Sequence, residues 1–298
     1  MSPLPDVGAE TRHHHDDEPL WNESWYLDFW SADGSFGGYI RLGLYPNLGR
    51  SWYWACVVRE GRPLVTVIDN EAPLPKEPGL EIRSSGLWSD LIVQTPLDHM
   101  TVGLEAFGVE IDDPTEVYRT GWGDRTALGF DLEWETFGTP FAYEVTSRYE
   151  VPCRVHGEIL IGDERIDFDG FGQRDHSWGV RDWWSLGWCW NAGRLDDGTP
   201  FHSTVMQGID WSTGYVGSDA APIAGATITS VHDREGLCIE AQLRLDDLDL
   251  TVSPVAWSPV LLESPDGRLS RFPRALVRYA AADGRTGAGW IEFNQPQG

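Results

Sequence analysis

The stretch Leu128-Gly129-Phe130-Asp131-Leu132-Glu133-Trp134-Glu135 carries the clearest structural signal in the chain. Leu128, Phe130, Leu132 and Trp134 fall on one side of an extended backbone, and Asp131, Glu133 and Glu135 fall on the other. That two-residue period is the mark of a strand with one buried face. Three acids on one face have the chemistry to hold a cation, but a solvated outer face is the commoner reason for such a row. Working outward, similar apolar runs recur at 38–45, 52–59, 64–69, 80–83, 87–94 and 101–107, and again at 143–150, 154–161, 164–170, 186–195, 199–207, 224–232, 237–245, 250–256, 272–281 and 286–293. Between them lie turn signals such as Ala32-Asp33-Gly34, Pro46-Asn47-Leu48-Gly49, Gly162-Asp163 and Asp283-Gly284. Asp113-Pro114 is the one helix-starting pair, with Asp113 as N-cap and Pro114 in the first turn. Many short strands without intervening helices predict an all-β chain of barrels or sandwiches rather than βαβ units.

Composition agrees. The 298 residues include 16 tryptophans, 11 phenylalanines, 9 tyrosines, 33 glycines and 19 prolines, a mixture of strand formers and turn formers, with Lys76 the single lysine. Lys+Arg 22 against Asp+Glu 47 leaves a net charge of −25. Such a surface repels phosphate backbones and anionic lipids, so no nucleic acid and no membrane insertion are expected. A hydrophobic small-molecule ligand suits the chain better. Cys56, Cys153, Cys189 and Cys238 are far apart, sit in strand-like runs and form no CxxC pair, so they read as buried thiols of a cytoplasmic protein. The order of the runs suggests a loose leader over 1–19, a first domain over 20–160 and a second over 161–298. The leader holds His13, His14, His15, Asp16 and Asp17. Three consecutive histidines cannot converge on one ion from an extended strand, so a surface loop is expected there, with a cover over one mouth of a pocket as the alternative.

Residues 170–184, GFGQRDHSWGVRDWW, hold the densest group of reactive side chains. The motifs of the common hydrolases, zinc proteases and nucleotide-binding folds (GxSxG, HExxH, GxxxxGK and a helix-opening GxGxxG) do not occur. No cofactor and no metal site are expected. If 173–178 is extended, Arg174, His176 and Trp178 share one face, and Asp175 and Ser177 the other. Asp175 then points away from His176, and an orienting carboxylate must come from elsewhere, with Asp182 as one source. An imidazole beside an indole is suited to proton transfer near neutral pH. The competing reading makes Arg174, Asp175, Arg181 and Asp182 an ion-pair network that staples two halves together.

The string GQRDHSWGVRDW resembles the signature of the AttH/CrtC-like superfamily, which includes carotenoid 1,2-hydratases (hydroxyneurosporene synthases) and actinobacterial members. The opening Trp21-Asn22-Glu23-Ser24, the run Gly37-Gly38-Tyr39-Ile40-Arg41-Leu42-Gly43 and the closing Gly287-Ala288-Gly289-Trp290-Ile291-Glu292-Phe293 are similar to that family's termini. The resemblance covers about residues 20–295. It implies two tandem lipocalin-like, calycin-type antiparallel β-barrels with an apolar ligand site near their junction. It also implies a hydratase, lyase or cyclase type of reaction, with His176 and Trp178 in the pocket and Asp175 and Gly179 completing the match. The hydratases carry a further Tyr-x-Asp acid on a later strand. The comparable stretch here, Pro200-Phe201-His202-Ser203-Thr204, lacks it, and His202 is the candidate in its place. Glu23 is a second candidate acid, and Arg174, Arg181, Asp182 and Trp183 are expected to support the motif. A lipocalin-like carrier with no chemistry is the alternative function.

Overall fold

The computed structural model describes residues 4–297. The chain runs through β1 (Trp21–Trp30), β2 (Phe36–Tyr45), β3 (Arg50–Arg59), β4 (Leu64–Ala72), β5 (Ile82–Ser84), β6 (Leu87–Thr95), β7 (His99–Ile111), β8 (Asp124–Thr136), β9 (Phe141–Ala142), β10 (Arg148–Ile161) and β11 (Glu164–Val180). These form one antiparallel sheet in the order β4-β3-β2-β1-β11-β10-β8-β7-β6-β5, and a pairing of β4 with β7 closes it into a barrel. A second sheet follows, from β12 (Trp188–Leu195), β13 (Pro200–Met206), β14 (Ser212–Val216), β15 (Ala221–Pro222), β16 (Ala226–His232), β17 (Cys238–Leu245) and β18 (Leu248–Trp257). It is completed by β19 (Val260–Glu263), β20 (Leu269–Phe272), β21 (Arg274–Ala281) and β22 (Thr286–Gln297). Its main path is β15-β14-β13-β12-β22-β21-β18-β17-β16, and it curls until the Ala226 N–H donates to Ser212 Oγ at 2.8 Å. The fold is all-β, in two tandem lipocalin-like barrels.

The alternation in 128–135 is realised as read. Leu128, Phe130, Leu132 and Trp134 are buried in the first barrel, while Asp131 and Glu135 are exposed and Glu133 meets His99 at 2.7 Å. Asp113 caps a 3-10 helix over Pro114–Tyr118 by accepting from the Thr115 N–H. All four cysteines are buried and free. No helix among the described residues is long and apolar enough to cross a membrane.

Three readings change. The division expected at 160/161 falls inside the β10–β11 hairpin, whose turn places Gly162 at a φ of 59°. A hairpin with full cross-strand pairing cannot be split between barrels, so the first sheet extends to Val180 and the second starts at Trp188. The strand expected over 164–170 does not end at the glycines but continues through the motif as a 17-residue strand between β1 and β10. Gly172 allows this, because a Cβ there would sit 2.1 Å from the Asp28 carbonyl. Finally, the leader is held at Glu10 and His13 while most of its described residues stay exposed, Met1 to Pro3 lying outside the described residues. Glu10 is buried against Tyr149 and Arg174, because a buried guanidinium requires a counter-charge.

Alternation along β1, β2 and β3 creates two cores from one set of strands. Trp25, Leu27, Phe29, Ile40, Leu42 and Tyr53 point into the first barrel, whereas Tyr26, Trp30, Tyr39, Trp52 and Trp54 point out of it. The outward set packs on Trp183, Trp184, Trp190, Leu276 and Trp290, so the barrels share an aromatic interface. Trp290 seals it by donating its indole N–H to the Phe29 carbonyl at 3.1 Å.

Candidate functional site

β11 and β10 bring the site residues together, and their pleat sorts them into two groups. Arg174, His176 and Trp178 face the first barrel, as the period of two requires. His176 is fully buried. Its Nε2 lies 2.9 Å from Glu23 Oε1, its Nδ1 lies 3.2 Å from the Tyr149 hydroxyl, and Trp25 stacks on the ring with centroids 4.3 Å apart. The carboxylate beside His176 is therefore Glu23 of β1 and not Asp182. Asp182 sits near the surface, where it pairs with Arg268 at 3.1 Å and accepts from Ser185. Burial pushes the Glu23 carboxyl up, but hydrogen bonds from His13 and His176 outweigh it and hold the group below its ordinary range.

The leader completes this group. Glu10 accepts from Tyr149 and from Arg174 Nη1, and His13 Nδ1 reaches Glu23 Oε1 at 2.7 Å. The His13 ring stacks on Trp178 at 3.7 Å, nearly parallel. His14 and His15 stay exposed, so one histidine of the run turns inward and not three.

The opposite faces of the same strands build a second group between the barrels. Glu150, one residue from Tyr149, accepts from Arg148 Nε at 2.7 Å, from the Trp190 indole at 3.1 Å and from Gln173 Nε2 at 3.1 Å. Arg148 also donates to Asp175 at 2.8 Å, and Gln173 accepts from the Tyr215 hydroxyl at 3.1 Å across the interface. Of the expected network of Arg174, Asp175, Arg181 and Asp182, Asp175 pairs here with Arg148 of its own sheet, and the contact across the interface is made by Gln173, outside that set. Burial raises the Asp175 carboxyl to about 6, against the pull of Arg148. His202 of β13 is fully buried here. Its Nδ1 faces the Asn191 carbonyl at 2.8 Å, so Nδ1 carries the proton and Nε2 is a lone pair. Tyr143 places its hydroxyl 2.7 Å from that lone pair and 2.8 Å from Thr204 Oγ1. The phenol therefore donates to His202 and accepts from Thr204. Burial, and then the charge of Arg148, keep His202 neutral, well below its usual titration range. Burial also holds the Tyr143 phenol far above its ordinary range, so the proton stays on oxygen.

Beside Tyr143 opens a cleft of about 480 Å³ at the mouth of the junction. Its apolar lining comes from Trp178, Trp183, Trp188, Trp190, Trp211 and Met206, and its polar lining includes Tyr143, Thr204, Arg148 and Arg181. Burial, and then the neighbouring guanidinium groups of Arg148 and Arg41, bring Arg181 down to about 10. Arg41 lies behind it, its guanidinium set over the Trp54 and Trp183 rings. Gly179, at a φ of 118°, lets the chain leave β11 and carry Arg181 and Trp183 into this wall.

This geometry spans both barrels, and so does the match to a single family model, described as "Domain of unknown function (DUF7064)", over residues 6–297. The chain belongs to the DUF7064 family. No curated protein is similar to it in sequence. The solved structures it resembles have the same double-barrel fold. An AttH-type protein (NE1406) of Nitrosomonas europaea aligns at 12% identity with a TM-score of 0.61 over 95% of each chain. Kievitone hydratase of Nectria haematococca aligns at 9% identity and 0.58, over 99% of this chain and 96% of that one. CghA aligns at 10% identity and 0.56, over 94% and 88%. At these identities the likeness establishes the AttH/CrtC-like fold of this DUF7064 chain and not its chemistry.

Of the residues singled out in the sequence, Glu23, Arg174, His176 and Trp178 converge in the first barrel, while Trp178, Arg181, Asp182 and Trp183 also line the cleft. His202 lies on the far side of β10 from His176, and the two do not share a site. Tyr143, Arg148, Tyr149, Glu150 and Glu10 were missed. Tyr143 follows the two-residue β9 and Glu10 lies in a polar leader, so neither has a periodicity that could have revealed it.

Proposed function

We propose that this protein is an enzyme of hydratase or lyase type, acting on an apolar small molecule that carries a polar or anionic oxygen and binds in the junction cleft. The observation that carries this reading is the Tyr143–His202 pair at the wall of a tryptophan-lined cleft. A cleft lined by aromatic and aliphatic groups, with a few convergent polar ones, is the usual form of a small-molecule site. Tyr143 offers a hydroxyl proton whose other partners are already set, and Arg181 offers a positive charge crowded by its own kind. Together they polarise an oxygen of the substrate and stabilise negative charge that develops on it during addition or loss of water at a conjugated double bond. In hydration the phenol turns its proton from His202 to the substrate oxygen, and the proton released by the adding water returns to the phenolate through His202. Trp178, stacked on His13, also lines the cleft, where its indole meets the substrate.

The hydratase neighbour and the tandem-barrel fold support this class of reaction. The test begins with native mass spectrometry of freshly purified protein to identify a copurifying ligand, followed by incubation of that ligand in heavy-oxygen water. Incorporation of label is expected, together with a loss of about 10²-fold or more in turnover for Tyr143→Phe, the range for removing a general acid. A ligand that is bound but unchanged, with equal affinity for wild type and Tyr143→Phe, would establish the alternative: a carrier of hydrophobic ligands.

A further inference from the structure

We infer that His13, Glu23 and His176 form a binding site for one divalent transition-metal ion, of which zinc is the best fit, and that this ion fastens the N-terminal leader onto the first barrel. Their ligand atoms all lie within 4.8 Å of one another, and His13 Nδ1 and His176 Nε2 both aim at the same oxygen, Glu23 Oε1, at 2.7 and 2.9 Å. Two imidazoles and a carboxylate are a borderline donor set, suited to zinc, with a fourth position left for water.

The hydrogen bonds around His176 point to the same conclusion. Tyr149 has a single hydroxyl proton, and the nearby Glu10 carboxylate, already paired with Arg174 at 2.6 Å, claims it. The Tyr149 oxygen must then accept from His176 Nδ1, 3.2 Å away. Nδ1 is thereby committed to Tyr149, and Nε2 is the ring nitrogen presented to the Glu23 carboxylate and to an ion beside it. Nε2 and Glu23 Oε1, 2.9 Å apart and sharing a proton in the ion-free site, become ligands when an ion displaces that proton and draws them apart. An outer oxygen that holds the second ring nitrogen is the arrangement that orients metal-bound histidines in general. Here it is a chain of three residues, Arg174–Glu10–Tyr149, behind His176. Trp25 and Trp178 stack on the two imidazoles and limit the approach of water.

Each ligand comes from a different part of the chain: the leader, β1 and β11. The leader supplies both a ligand, His13, and a member of the supporting chain, Glu10. Metal binding and leader docking are therefore one equilibrium. The inference is independent of the cleft and of any reaction there.

The experiment uses the untagged full chain, dialysed against chelator and titrated with Zn²⁺ alone by calorimetry, with Co²⁺ as a spectroscopic substitute. Expected results are one ion per chain, a tetrahedral Co²⁺ visible spectrum, and slower tryptic cleavage in the leader at Arg12 when the ion is present. His13→Ala and Glu23→Gln should each weaken Zn²⁺ binding at least about tenfold. His14→Ala with His15→Ala should leave it unchanged. Absence of stoichiometric binding, full retention by His13→Ala, or loss in the His14/His15 double variant would overturn the inference. Thermal melts of every variant separate loss of a ligand from loss of the fold.

Discussion

His176 and His202 are both closed to solvent, both lie on strands, and both face a tyrosine hydroxyl, yet an arginine lies beside His202 as well as a carboxylate, whereas His176 meets the Glu23 carboxylate directly. His176 looks at Glu23 with Glu10 behind Tyr149, inside one barrel and under a strap of leader. His202 is next to Arg148 and is held neutral between two barrels. The pleat of β10 makes the difference, sending Tyr149 to one histidine and Glu150 to the other. A residue type therefore says little about chemistry until the strand's facing is known. The first environment attracts a cation, while the second preserves a lone pair and a phenolic proton.

The contrast can be broken most severely at Glu150. Glu150→Ala leaves Arg148 and the Trp190 indole without their acceptor at the junction, and urea denaturation is expected to show a loss of about 3–5 kcal/mol. Glu10→Ala removes the partner of buried Arg174 on the other side of the wall, with an expected loss of about 3 kcal/mol. It also frees the leader, which limited proteolysis would detect. A stable leader in this variant would show that the two environments do not depend on their counter-charges.

A pH series sharpens the comparison. His202 titrates at about 6.5 when unfolded and well below that when folded, so between those values the unfolded chain binds more protons. Its contribution to stability is complete above about pH 6.5 and is lost as pH falls, with a slope approaching about 1.4 kcal/mol per pH unit. Asp175, raised to about 6, has the opposite sign: its folded form binds more protons between about pH 4 and 6, so stability from it declines as pH rises through that window. The groups facing His202 are Tyr143, Arg148, Glu150, Trp190 and Tyr215. His202→Phe should therefore remove the acid-side loss seen in wild type and leave the Asp175 trend exposed. Parallel pH curves for the two proteins would refute a neutral buried His202. The smallest effect is expected at Asp182→Asn, where the half-exposed pair with Arg268 is worth at most about 1 kcal/mol, checked by the same denaturation assay.

The all-β class, the solvated outer face of β8 and the inward trio Arg174, His176 and Trp178 were legible because each follows from the period of two along an extended chain. The leader's role was not. Glu10 and His13 sit in a polar segment with no periodicity, and their burial is decided by Arg174, Tyr149 and Glu23, all distant in sequence. Nor could spacing show that Asp182 turns to Arg268 while Glu23 takes the place beside His176, since β1 and β11, far apart in sequence, meet only as neighbours in the folded sheet.

The sequence by itself determined which residues alternate, where the chain turns and which strands must bury one face, because those depend on backbone geometry and local side-chain chemistry. Only the tertiary structure decided that one face of β10 and β11 looks into a barrel and the other into a junction. That choice rests on pairings between strands more than a hundred residues apart, and with it came the separate fates of His176 and His202.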